Sequence, residues 1–158
     1  MINYEFFVLL ALCCGYALWQ GGAPERQIAL LYLSAVALTE IASGPHRWTS
    51  LEIGIFTGDV MALFAFVYVT LRAERFWPIW FTAIHIISLA GHGIKMADPN
   101  LIPWGYKIAV AKWSYPLLFL IAAGTWCHRR RLARHGSDPD WTCDAIRSAP
   151  SRLRHVPG

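Results

Sequence analysis

Asp59 sits inside the apolar run GIFTGDVMALFAF, and His85 and His92 sit seven residues apart in the next apolar run. A carboxylate and imidazoles in such surroundings can exchange a proton, hold a cation, or clasp two helices by hydrogen bonding. Other polar residues fall into register with them. Glu52 lies seven residues before Asp59, which puts both on one face of a helix. His85, Ser88, His92 and Lys95 form a stripe along the following segment, and Glu40 closes the preceding one. The candidate polar set is therefore Glu40, Glu52, Asp59, His85, Ser88, His92 and Lys95.

The spacing limits what this set can do. Two histidines seven apart on one helix are about 10.5 Å apart along its axis, too far to share one ion. No metal site and no cofactor is assigned. The chain has no HExxH, no GxSxG and no phosphate loop, so no enzyme is expected. Cys13, Cys14, Cys127 and Cys143 form no CxxC, and neither a disulfide nor a redox role is assigned to them.

The elements that must position the polar set are apolar. Hydrophobic residues make up 56% of the 158 residues, charged ones 15%, and the mean hydropathy is +0.38. A soluble domain carries about 25% charge, and the eight Trp, six Tyr and eight Phe suit a membrane interface. Five apolar stretches can be drawn, at about 2–19, 24–42, 51–71, 77–96 and 104–126. A bilayer core takes about 20 helical residues. The expectation is an all-α, polytopic transmembrane bundle of five helices spanning 1–134, followed by a flexible basic cytoplasmic tail over 135–158. The first stretch is read as a retained helix rather than a leader, because no basic residues precede it.

Lysine and arginine orient the bundle. With the N-terminus outside, Arg26, Arg72, Arg75, Arg129, Arg130, Arg131, Arg134, Arg147, Arg152 and Arg154 face the cytoplasm. Arg47, Lys95, Lys107 and Lys112 face outward. The expected topology is N-out and C-in, and Arg129, Arg130, Arg131 and Arg134 become a membrane-surface anchor. In that frame Asp59 lies about 12 Å below Leu51, and His85 about 16 Å below Met96. The polar set then crowds into the outer half of the membrane, and the inner half is nearly free of such groups. Asp59 is expected to meet the fourth span, with Ser88, His85 or His92 as partner. Gly54, Gly58 and Ala62 form a small-xxx-small strip that favours close helix packing. Pro116 is expected to kink the fifth helix, and Lys107 and Lys112 to snorkel among Trp104, Tyr106, Trp113 and Tyr115.

The stretches ERFWPIW, GHGIKMADPN and KWSYPLLFLIAAGTWCHRRRLARHGSDPDW resemble small polytopic inner-membrane proteins of alphaproteobacteria. The resemblance covers about 59–141 and implies a bacterial inner membrane and a helical fold. It brings no activity and no site residues. The functional expectation is an accessory or structural subunit of a larger membrane complex. Its partners would be lipid and other membrane subunits or itself, with no nucleic acid. The alternative is a small proton- or metal-linked transporter with its site at Asp59 and His85.

Overall fold

A computed structural model describes residues 4–42, 53–98, 102, 105, 112–136, 138 and 140–141. Among them the chain is all-α, with α1 Tyr4–Gln20, α2 Ala23–Ala42, α3 Ile53–Arg72, α4 Trp77–Ala97 and α5 Ser114–His135. Glu52, Lys107, Trp104, Tyr106 and Cys143 lie outside the described residues.

Local chemistry sets the helix ends. Gly21 and Gly22 alone separate α1 from α2, and Gly21 N–H closes α1 on the Ala17 carbonyl at 2.9 Å. A side chain at Gly21 would run into that carbonyl and, at 2.7 Å, into Glu25 Cβ, so the tight hairpin needs glycine. Pro24 and Pro78 stand in the first turns of α2 and α4, where a missing N–H costs no helical bond. Gly136 ends α5 in the left-handed region at φ 71°, returning its N–H to the Leu132 carbonyl.

The first four helices lie within two residues of their expected bounds. The fifth does not. Lys112 and Trp113 form a turn, and α5 begins only at Ser114. Pro116 therefore sits in the first turn, where it starts a helix instead of kinking one. At its other end α5 carries the basic segment as far as His135. Lys112 precedes the helix and places its Nζ 5.7 Å from the centre of the Tyr115 ring.

The helices form a ring in chain order, α1 packing on α2, α2 on α3, α3 on α4, α4 on α5 and α5 back on α1. Alternation of direction gives the bundle a hairpin end and an open end. The α1–α2 and α3–α4 turns and the C-terminus of α5 meet at the hairpin end. Glu40, Asp59, His92 and Ser114 mark the open end. Between them lies an apolar core that includes Leu10, Cys14, Ile28, Phe66, Phe81 and Ile121. Phe81 joins Trp77, Tyr32 and Phe66 edge to face, with centroids 6.2, 5.7 and 4.9 Å away, and Phe66 meets the His85 ring at 5.0 Å.

Among the described residues one helix, α3, is long and apolar enough to cross a membrane. Only 17% of its most apolar stretch is buried, whereas the core helix of a soluble protein is mostly buried. α1 is equally apolar in character but has 17 residues. Membrane location rests structurally on that one candidate span, and α2, α4 and α5 do not reach the same standard.

Candidate functional site

Polar side chains gather at both ends of the bundle. At the open end, Asp59 of α3 accepts a hydrogen bond from His92 Nε2 of α4 at Oδ2, 3.1 Å away. His85, two turns earlier on the same face, donates its Nε2–H to the Asp59 backbone carbonyl at 3.1 Å. Asp59 is thus gripped twice by one helix. Ser88 and Glu40 line a cavity of about 100 Å³ together with Asp59, His85, Tyr32 and Ser114. That volume has room for water and carries polar groups to hold it. Tyr32 spans the cavity's base, its hydroxyl donating to the Ser114 carbonyl at 3.3 Å.

Other members of the expected set behave differently. His92 and Lys95, in the last turns of α4, are buried, at 2% and 5% exposure. Glu40 is exposed at the cavity rim. Gly58 faces open space, with nothing within 4 Å of a side chain built there, while Ala62 packs against the core. The close helix approach expected along Gly54, Gly58 and Ala62 is therefore absent at Gly58 among the described residues.

The hairpin end holds a second cluster, which the sequence reading missed by treating that half as nearly free of buried polar groups. Arg75, in the α3–α4 turn, is 7% exposed. Its guanidinium pairs with Asp138, and with Asp140 Oδ1 at 2.9 Å. Its Nε lies 3.7 Å from Glu25 Oε1. Trp77 donates its indole N–H to the same Glu25 oxygen at 3.1 Å. His128 Nδ1 contacts Asp138 Oδ2 at 2.6 Å and Arg75 Nη2 at 3.1 Å. One nitrogen cannot donate to a carboxylate and accept from a guanidinium at once. The shorter contact assigns the proton to Nδ1, with Asp138 as acceptor. Arg131 Nε completes the set on Asp138 Oδ1 at 3.0 Å.

Two glycines make this packing possible. A side chain at Gly124 would meet the Trp77 ring at 2.5–2.7 Å, so the indole reaches Glu25 only because α5 is bare there. A side chain at Gly22 would strike Asp140 Oδ1, and would meet Glu25 Oε2 and His128 Cε1 at 3.0 Å. The segment after α5 is latched down by its backbone as well: Ala73 and Trp141 form an antiparallel bridge, and Glu74 N–H reaches the Asp140 carbonyl at 3.3 Å. Burial alone would push the Asp138 carboxyl up. Hydrogen bonds from Arg75, His128 and Arg131 outweigh it and hold that carboxyl below the usual range.

A signal for this cluster exists in the chain. GGAPER places Glu25 in the first turn of α2, and AERFWP and SDPDW place Arg75, Asp138 and Asp140 just outside helix ends that alternation brings to the same side. Arg75 entered the expectation only as an orienting charge, and Asp138 and Asp140 fell in the expected flexible tail, so no meeting was expected. Of the four arginines expected as a membrane anchor, Arg129, Arg130 and Arg134 are exposed, and Arg130 lies over the Trp126 ring at 5.2 Å. Arg131 turns toward Asp138 instead. Cys13, Cys14 and Cys127 are free thiols.

Comparisons with protein-family models, with curated proteins and with solved structures find no match to this chain. The site therefore has to be read from its own chemistry.

Proposed function

We propose that the chain is a multi-pass protein of a bacterial inner membrane, five spans with N-out and C-in topology. It works without catalysis, as an accessory or structural subunit of a larger membrane complex. The observation that carries this reading is an inverted distribution of side chains. Every helix turns large apolar residues outward, among them Leu12, Leu38, Phe64, Trp80 and Phe119. Glu25, Arg75, His85, His92, Lys95 and His128 are buried instead. In water that arrangement exposes far more apolar surface than a monomer tolerates. In lipid it is the expected one, since a charge facing hydrocarbon costs about 2.5–3.5 kcal/mol or more. The arginine count supports the orientation, because the hairpin end carries Arg26, Arg72, Arg75 and the α5 basic segment.

Native mass spectrometry of the tagged chain, extracted gently from its host, tests the subunit reading. Co-purified polypeptides at fixed ratio support it, and a bare 17.8 kDa species or its simple multiples count against it. Reporter fusions at the C-terminus test orientation: periplasmic alkaline phosphatase activity at Gly158 would overturn it.

A second reading, a small proton- or metal-linked transporter with its site at Asp59 and His85, is favoured by those two side chains lining one cavity, with Asp59 paired to His92 behind it. Asp59→Asn separates the two. A clasp keeps activity per molecule and gives up at most a modest share of yield, and a transport site loses activity per molecule. The ring stack of Phe66, Phe81 and Trp77 stands between this cavity and the hairpin-end cluster. A transport path through the bundle would have to move those rings.

A further inference from the structure

We infer that the hairpin-end cluster is a binding site for a divalent transition-metal cation, held by Glu25, His128 and Asp140. One ligand atom from each of the three lies within 4.8 Å of the others. Zinc–oxygen and zinc–nitrogen bonds are about 2.0–2.2 Å, so closing on an ion moves each donor by less than about 1 Å. The independent observation is Glu25. It is 0% exposed, and among the described residues its Oε2 has no hydrogen-bond partner. That oxygen points at the Gly22 backbone, where Asp140 Oδ1 and the His128 ring also converge. A buried carboxylate oxygen with nothing to bind is costly, and a cation satisfies it.

Three features fit the donors to a cation. The three carboxylates of Glu25, Asp138 and Asp140 outnumber the two guanidiniums that pair with them, those of Arg75 and Arg131, and Arg26, which also lines the groove, is exposed. Asp138 accepts the Nδ1–H of His128, which leaves Nε2 as the lone-pair nitrogen. A carboxylate behind a metal-binding imidazole orients it in this way in many metal sites. A surface groove lined by Gly22, Gln27, His128, Leu132, Asp138 and Asp140 provides an entry route and space for water ligands. One imidazole with two carboxylates suits Zn²⁺ or Mn²⁺ better than Ca²⁺ or Mg²⁺, which prefer oxygen donors alone. This assignment does not depend on the membrane reading or on the Asp59 cavity.

The test is Zn²⁺ titration by calorimetry on the detergent-solubilised full chain. The background carries Cys127→Ser and Cys143→Ser, so that the thiols nearest in sequence do not compete. One Zn²⁺ per chain is expected. Asp138→Asn weakens binding about 10–100-fold, and Glu25→Gln and Asp140→Asn weaken it by at least that much. Asp59→Asn leaves it unchanged. Far-UV circular dichroism checks each variant's fold. If Glu25→Gln unfolds, Asp140→Asn decides, since that side chain is 33% exposed. The inference is overturned if the parent chain takes up no Zn²⁺ at millimolar concentration, or if uptake survives in Asp140→Asn. Loss of uptake in Asp59→Asn alone would also overturn it, and would move the metal to the open end in support of the transporter reading.

Discussion

The two ends of this bundle solve one problem in opposite ways. At the open end a single carboxylate, Asp59, is gripped by two imidazoles of one neighbouring helix, beside a cavity. The cavity rim, with Glu40, is accessible. At the hairpin end Arg75 is closed in by Glu25, Asp138 and Asp140, with His128 and Trp77 filling the gaps. That cluster draws on α2, the α3–α4 turn, α4, α5 and the segment after α5. The open end is a local contact between sequence neighbours, and the hairpin end is a keystone. Removing a piece should cost little at the first and much at the second.

Arg75→Met gives the sharpest test. It leaves Glu25 buried without its counter-charge and Asp138 with Arg131 alone, and the expected loss is about 3–5 kcal/mol of folding stability. Thermal or denaturant unfolding in detergent measures it; a loss no greater than that of Asp59→Asn would erase the distinction between the ends. Gly124→Ala comes next. Its methyl group displaces the Trp77 indole and with it the Glu25 hydrogen bond, for an expected loss of about 1–3 kcal/mol. Loss of the blue-shifted, protected component of tryptophan fluorescence would report the same displacement.

Acid acts on the hairpin end through Asp138. The Asp138 carboxyl is held below its unfolded value of about 3.9. Its contribution is therefore present above about pH 4 and is lost as pH falls through the lower folded value. An acid-unfolding curve should show that loss in the parent chain, and Asp138→Asn should flatten it while lowering stability at pH 7. The smallest effect is expected for Asp59→Asn. The amide oxygen still accepts from His92, so stability should change by about 1 kcal/mol or less. A drop as large as that of Arg75→Met would make Asp59 a second keystone.

How much of this could be read in advance depended on the range of each interaction. The helices α1 to α4 were legible because each is a continuous apolar run ended by a short-range signal, such as Gly21–Gly22 or Pro78. Asp59 and His92 were legible as neighbours because α3 and α4 are consecutive antiparallel helices, so equal depth implies proximity. The start of α5 was misread because hydrophobicity runs on through 104–113 while the helix begins at Ser114. Apolar composition reports burial or lipid contact, and it does not fix backbone dihedrals at a turn. Glu25 and Asp138 were illegible as partners, being joined through Arg75 across a closed ring of five helices.

By itself, then, the sequence determined an all-helical chain, the alternation of its segments, and one polar face meeting another across a hairpin. Those follow from periodicity and from contacts between adjacent elements. Only the tertiary structure decided which charges are buried. Gly21, Gly22 and Gly124 let distant segments approach, and that approach turns the charges of three separated segments into one enclosed cluster. Burial of a charge is a property of everything packed around it, and no local pattern carries that information.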